Sequence, residues 1–190
     1  ASKLNVPRIG VRFRLPASMN QVEYFGRGPA ENYLDRNAGS MIGLYKSTAE
    51  ELYFPYVRPQ ENGHHTDTRW VSLSTGKKGL LIQADNTIGF NALRNSIEDF
   101  DDEEATGLPR QWSNFTPEQV ANHDEAAAKS VLRRQHHIND ITPRDFVEVC
   151  VDLKQQGVAG YDSWGSRPEP AYTLPANREY NWGFTLIPLK

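Results

Sequence analysis

The sequence lacks several features that mark whole classes of protein. It contains one cysteine, Cys150, so an internal disulfide is excluded, and the compartment stays open between cytoplasm and periplasm. No apolar run approaches the length of a membrane-spanning helix. The net charge is only −3, and the lysines and arginines are spread along all 190 residues without forming a basic patch. We therefore expect no nucleic-acid partner and no membrane partner.

Motifs of nucleotide binding and of serine hydrolases are missing as well. The glycines of residues 24–36 are not followed by Lys and Ser or Thr, and no βαβ pattern surrounds them. The Gly-x-Ser-x-Gly motif is absent. An acidic run at residues 98–104 matches no calcium-loop spacing and is typical of a solvated loop.

Alternation of apolar and polar residues with a period of two dominates what is there. Val147, Val149 and Val151, for example, alternate with Glu148 and Cys150. Such alternation predicts half-buried antiparallel strands. Cys150 lies in one of these strands, and we interpret it as a small buried side chain rather than a nucleophile. The candidate strands are residues 11–15, 21–25, 70–74, 79–84, 88–93, 147–153 and 180–186. The sequence therefore predicts an all-β antiparallel fold, either a sandwich or a barrel.

Signals for helices are few. Ser47-Thr48-Ala49-Glu50 has the spacing of a capping box and predicts one short helical turn before Pro55. Thr116, followed by a proline, is a second predicted helix start and lies inside a polar excursion at about 98–136. We interpret this excursion as an insertion between two strands of a single domain, residues 1–190.

The segment from residue 58 to residue 70 is dense in polar side chains. Its titratable members include Glu61, His64, His65 and Asp67. These residue types have the chemistry of an acid–base site or a metal site. Adjacent histidines on a strand point to opposite faces, however, which disfavours a shared metal ion. The residues favour a turn in which Asn62-Gly63 supplies a positive φ and the polar groups satisfy the backbone.

Charged residues also cluster within residues 24–36. They are Arg27, Glu31, Asp35 and Arg36, which have the charges to pair with one another and so fix a loop. The glycines before Pro29 predict a tight exit from a strand. Further along, His137 precedes a predicted strand, where a histidine lines a groove or caps a turn.

The loop at residues 157–165 carries a tryptophan among small residues. Trp164 follows Asp162 and Ser163 and precedes a glycine, which is a poor setting for filling a core. An exposed indole offers a flat surface to the apolar C–H face of a sugar. The alternative, and the more common use of a loop tryptophan, is a lid that packs on the protein itself.

Five blocks in this order resemble the C-terminal domain of bacterial β-galactosidases of glycoside hydrolase family 2. The resemblance covers the chain from about residue 6. The blocks are Pro7-Arg8-Ile9-Gly10, the Gly-Arg-Gly-Pro…Glu-Asn-Tyr…Asp-Arg pattern of residues 24–36, the Pro-Tyr-Val…Pro…Glu-Asn-Gly pattern of residues 55–69, Gly160–Trp164 with its Asp-Ser-Trp, and Trp182-Gly183-Phe184.

The resemblance implies an antiparallel supersandwich similar to galactose mutarotase. In this family a separate (β/α)₈ barrel carries the two catalytic glutamates of a retaining glycosidase and a magnesium ion, with sodium as a further candidate. The domain itself is non-catalytic and, by motif position, contributes Trp164 to the galactose pocket. Glu61 and Asn62 are implied to be structural. The implied partners are the remaining domains, a galactoside such as lactose, and further copies in a homo-oligomer. No catalytic residue, metal ligand or cofactor is implied in this chain.

Some features depart from the family pattern. The family domain usually begins upstream, so we expect part of the first sheet to be missing here. Consistent with that, the sequence starts at Ala1 without an initiator Met, as a processed protein or a piece of a longer one would. Leu34 stands where a proline is common, and the 98–136 excursion is longer than usual.

Two other functions compete with this one. A free-standing carbohydrate-binding module would share the sandwich and the exposed tryptophan. An aldose 1-epimerase would need a histidine acid and a glutamate base in one groove, such as His64 or His137 with Glu61. A retaining hydrolase needs two carboxyl groups about 5–5.5 Å apart, set in a suitable scaffold. No barrel pattern supplies them here, so we expect the isolated chain to be inactive.

Overall fold

The computed structural model describes residues 4–100, 138–162 and 164–190. Over these residues it contains seven strands, all paired antiparallel in one sheet, and no α-helix. This confirms the predicted all-β class and is consistent with a β-sandwich. The strands are β1 (Arg8–Pro16), β2 (Gln21–Gly28), β3 (Met41–Thr48), β4 (His65–Ser74), β5 (Gly79–Leu93), β6 (Phe146–Gln155) and β7 (Phe184–Leu189).

The long strand β5 organises the sheet. The strand order is β1-β6-β5-β4-β2-β3, and β7 also pairs with β5. One edge of β5 pairs with β4, and the other is shared between β7, along Gly79 to Ala84, and β6, along Gly89 to Leu93. The two strands predicted at 79–84 and 88–93 are therefore one continuous strand of 15 residues.

Other strand boundaries also differ from prediction. The strand expected at 180–186 begins only at Phe184. Just before it, the Gly183 carbonyl accepts a hydrogen bond from the Asp85 N–H of β5 (3.1 Å). Strand β3 was not predicted. It takes in Ser47 and Thr48, so the capping box is shifted by one residue and joins Thr48 to Glu51 across a single turn (3.1 and 3.2 Å).

One face of the sheet packs an aromatic core. Tyr24, His65 and Phe90 are buried, with ring centroids 4.9–5.1 Å apart. The side chains of Val71 and Val149 are also buried in this part of the sheet. Burial of these large side chains supplies much of the driving force for folding.

Strand β6 is buried on both faces, which corrects the half-buried prediction. Glu148, Cys150 and Asp152 alternate with valines, yet their exposed fractions are 3%, 2% and 0%. Buried charges need partners, and arginines of β1 provide them. Arg14 pairs with Glu148 at 3.0 Å and Arg8 with Asp152 at 3.1 Å. Cys150 is buried and in no disulfide, as predicted.

The chain divides into two compact units. The sheet lies in the unit made of Ala1–Phe54, Asn62–Arg94 and Arg144–Lys190. The other unit is Pro55–Glu61 with Asn95–Pro143. In its described part the Ile138 N–H donates to the Val57 carbonyl at 3.3 Å, and the Asn95 amide donates to the Thr142 carbonyl at 2.9 Å.

Most of the insertion predicted at 98–136, including the helix start at Thr116, lies outside the described residues. That residues 1–190 form a single domain stays a prediction. Within the described part, no helix is long and apolar enough to cross a bilayer.

Candidate functional site

The loop after β6 holds its tryptophan outward. Trp164 is 92% exposed, the largest exposed fraction of any large hydrophobic side chain in the described structure. Nearby Tyr161 is 53% exposed. An exposed indole costs hydrophobic free energy unless something else covers it, so this ring is placed where an outside molecule can reach it.

Short polar contacts fix the backbone on either side of the indole. The Asp162 carboxylate accepts the N–H of Trp164 (2.8 Å) and the N–H of Ser166 (3.3 Å), and the Ser166 hydroxyl accepts the N–H of Tyr161 (2.9 Å). Gly165 has φ of 80°, a backbone conformation that suits glycine. The loop is thus a hydrogen-bonded turn that presents an aromatic ring.

The four charged residues predicted to fix the 24–36 loop do so through partners elsewhere. Arg27 pairs with Asp67 of β4, and Glu31 accepts the Gly63 N–H at 2.6 Å. Asp35 and Arg36 instead contact the loop after β6, which no local pattern predicted. Strand β2 ends at Gly28, directly before Pro29, where the exit from a strand was predicted.

The Asn62-Gly63 turn is confirmed as a structural element. Gly63 has φ of 70°. The Asn62 side chain accepts the Phe54 N–H at 2.8 Å and donates to the Phe54 carbonyl at 2.6 Å. This amide therefore closes a loop by satisfying both backbone groups of one residue, which is the backbone role predicted for the segment.

His64 is buried in the sheet as a neutral side chain. It is 1% exposed, stacks on Tyr33 at 5.7 Å, and lies with Nδ1 2.8 Å from the Asn91 amide oxygen, to which it donates. Burial, and then the nearby Arg8 charge, lower the pKa of His64 to about 3. Such a histidine is a poor general acid near neutral pH and does not meet solvent.

His65 faces the opposite side, as expected of adjacent strand residues. Its ring lies in the aromatic core against Tyr24 and Phe90, and burial lowers its pKa to about 4. Both histidines are therefore part of the interior.

The remaining acid–base candidates do not assemble into a described site. Glu61 belongs to the second compact unit, and His137 lies outside the described residues. Among the residues that the structure describes, no three His, Cys, Asp or Glu side chains are grouped to hold a metal ion.

A cavity of about 60 Å³ lies beside His64 and Gly89. Pockets that enclose a drug-sized ligand have about 300–1,000 Å³, so this cavity is far too small to hold a sugar. The exposed loop around Trp164 is therefore a better candidate for sugar contact than this cavity.

Comparison with known proteins places the whole chain. The family model described as "Beta galactosidase small chain" matches residues 1–186. The chain belongs to this family. Membership agrees with the family resemblance carried by the five sequence blocks, and it confirms that resemblance over nearly the full length.

Relatives of this small-chain domain are named as beta-galactosidases. That of Priestia megaterium is 35% identical over 97% of the chain, and that of Vibrio cholerae 29% identical over 95%. A beta-galactosidase of an Arthrobacter species is 41% identical over 49% of the chain. The small-chain domain spans only 15%, 14% and 10% of these relatives, respectively, so most of each relative has no counterpart here.

Proposed function

We propose that this chain is the non-catalytic C-terminal domain of a β-galactosidase that hydrolyses terminal β-D-galactosides such as lactose. In this proposal a separate barrel domain of the parent enzyme carries the retaining mechanism and its magnesium, with sodium as a further ion. The domain contributes Trp164 to the galactose pocket. The single observation that supports this role is the 92% exposed indole on a hydrogen-bonded loop of a β-galactosidase small-chain domain.

The chemistry of the described residues fits a binding role better than a catalytic one. The buried carboxylates Glu148 and Asp152 pair with arginines of β1 and are closed to solvent. His64, which lies 3.9 Å from Asp152, and His65 in the aromatic core are both neutral and enclosed. The part that remains for this chain is to hold the apolar face of the sugar.

The size of the contribution follows from buried area. Stacking an indole on a sugar face is worth about 1–2 kcal/mol at about 25 cal/mol per Å². That free energy corresponds to about tenfold in affinity. If substrate and transition state use the ring equally, the effect falls on KM.

Trp164→Ala in the parent enzyme tests the proposal. We expect KM for nitrophenyl galactoside to rise about tenfold while kcat stays within about twofold. Trp164→Phe keeps a smaller flat ring, so its KM should lie between that of the unchanged enzyme and that of Trp164→Ala. Phe54→Ala removes another exposed aromatic side chain of the same unit and should leave KM unchanged. An unchanged KM in Trp164→Ala, or a large loss of kcat alone, would refute the role.

The isolated chain separates this function from its competitors. We expect no hydrolysis of nitrophenyl galactoside and very weak galactose binding, because the rest of the pocket is supplied elsewhere. Saturable binding of galactose or lactose, followed by tryptophan fluorescence, would favour a free-standing carbohydrate-binding module. Accelerated decay of the optical rotation of fresh α-galactose would favour an epimerase.

A further inference from the structure

The loop that carries Trp164 is bound at its base by one carboxylate. Asp35 accepts the backbone N–H of Val158 at 3.2 Å and that of Ala159 at 2.8 Å. The same carboxylate accepts a hydrogen bond from the Tyr161 hydroxyl, with 3.1 Å between the two oxygens. Hydrogen bonds to an ionised acceptor are stronger than those between neutral groups, and here three of them converge on one side chain. Asp35 thus binds three loop residues within the seven that precede Trp164.

A second bond reinforces the first. Arg36 donates to the carbonyl oxygen of Ala159, so this residue is held through its N–H by Asp35 and through its C=O by the next side chain. Ala159 is 1% exposed and has a positive φ of 55°, an unusual conformation for a residue with a side chain. The surrounding contacts hold it there.

The approach of Asp35 is too close for any other residue at position 157. A side-chain carbon added at Gly157 would lie 2.5 Å from the carboxyl carbon of Asp35. Gly160, on the far side of Ala159, has φ of 76°. The glycines on either side of Ala159 therefore allow the backbone to fold around the carboxylate and then turn outward toward Trp164.

Asp35 itself stands on a rigid base. The turn that contains it is closed by a bridge between Tyr33 and Arg36, and the Tyr33 ring is 2% exposed and stacked on the buried His64. The amide of Asn32 donates to the carbonyl oxygens of two nearby residues, at 3.1 Å each. The position of the carboxylate is thus set by the core of the sheet-bearing unit.

We propose that Asp35 is a positioning residue that fixes the Trp164 loop and thereby the place of the indole in the galactose pocket. This inference rests on the function proposed for Trp164. Asp35 acts through the loop backbone and makes no contact with the sugar. Asp35 and Ala159 lie more than 120 positions apart in the sequence, so their connection is visible only in the fold.

A double-mutant cycle in the parent enzyme tests the inference. Asp35→Asn keeps the size of the side chain but removes its charge and part of its accepting capacity. We expect KM to rise about threefold to tenfold with kcat within about twofold. In a Trp164→Ala background the same substitution should change KM by less than about twofold, because its effect is then already lost. Equal factors in both backgrounds would overturn the inference.

A matched control and a milder variant complete the cycle. Glu23→Gln removes a carboxylate of the same unit that pairs with Lys46, and it should leave KM unchanged. Tyr161→Phe removes only the hydroxyl bonded to Asp35 and serves if Asp35→Asn does not fold. It should raise KM about twofold, and by nothing further once Trp164 is absent. An unchanged KM in Tyr161→Phe together with independent effects in the cycle would contradict the assignment.

A readout without substrate separates this inference from the proposed function. Chymotrypsin cleaves after exposed aromatic residues, so the rate of cleavage after Trp164 in the folded parent enzyme reports how firmly the loop is held. We expect Asp35→Asn to speed this cleavage at least several-fold while the Tm stays within a few degrees. Faster cleavage in Asp35→Asn, together with no KM effect from Trp164→Ala, would refute the proposed function but support Asp35 as a positioning residue. An unchanged rate of cleavage in Asp35→Asn would refute the positioning role of Asp35.

Discussion

The sheet and the loop after β6 use carboxylates in opposite ways. In the sheet, Asp152 is fully buried and pairs with an arginine side chain 3.1 Å away. At the loop, Asp162 within it and Asp35 from the segment after β2 accept backbone N–H groups, and the aromatic ring they support is 92% exposed. The first arrangement stabilises the interior, and the second fixes a surface.

The difference separates stability from ligand contact. A buried charge without its partner is very costly, so the sheet tolerates little change around Asp152. Loop backbone held by a carboxylate keeps its shape without burying the residue it presents. The core does not depend on Trp164, so its exposed ring is available for contact with another molecule.

The largest expected effect comes from breaking the buried pair. Asp152→Ala leaves Arg8 partly buried without its carboxylate, and we expect the free energy of unfolding to fall by about 3–5 kcal/mol. Urea unfolding of the chain measures this. Glu23→Ala, which breaks the exposed pair with Lys46, is the control and should cost less than about 1 kcal/mol. A similar small loss for both variants would show that burial does not distinguish the pairs.

An intermediate effect is expected from pH. Burial lowers the pKa of His64 to about 3 and that of His65 to about 4, against an ordinary value of 6.5. Between about pH 4 and 6.5 the unfolded chain binds protons at both histidines and the folded chain at neither. The free energy of unfolding should thus be highest above pH 6.5 and fall as the pH drops, by about 1.4 kcal/mol per unit for each histidine.

Urea midpoints measured from pH 7.5 to pH 5 give this slope. His65→Gln should remove about half of the contribution, since one of the two histidines remains. A midpoint that does not change with pH would mean that the folded chain protonates these histidines as readily as the unfolded one.

The smallest effect on stability is expected at the loop. Trp164→Ala should change the free energy of unfolding by less than about 0.5 kcal/mol, because the ring is 92% exposed. Tyr24→Ala, which removes a fully buried ring, should cost about 3–5 kcal/mol in the same assay. A loss above 2 kcal/mol from Trp164→Ala would mean that the indole stabilises the domain itself.

Period-two alternation located most strands because burial of one face imposes it. At β6 it located the strand but not its burial, because Glu148 and Asp152 look solvent-facing until arginines from β1 reach them from more than 130 positions away. It fails at β3, whose Met41 and Leu44 are apolar yet 71% and 58% exposed. In both cases the deciding contact or exposure is set by the fold rather than by neighbouring residues in sequence.

The same limit applies to the site. The Asn62-Gly63 turn and the glycine-rich loop around Trp164 have local signatures, so the sequence predicted both. The bonds from Asp35 to Ala159 do not, because a carboxylate and an alanine N–H carry no pairing signal across the chain. The four charged residues of the 24–36 segment, Asp35 among them, suggested local ion pairs, and only the fold showed which partners they take.

The split edge of β5 bears on how the chain folds during synthesis. The hairpins β2–β3 and β4–β5 join neighbouring segments and can close as soon as both strands leave the ribosome. In contrast, Gly79 waits for Leu189, about 110 positions later, and the other half of β5 waits for β6. This edge of β5 therefore keeps unsatisfied backbone groups until β6 and β7 have been synthesised, and the nascent chain is exposed to misassociation during that interval.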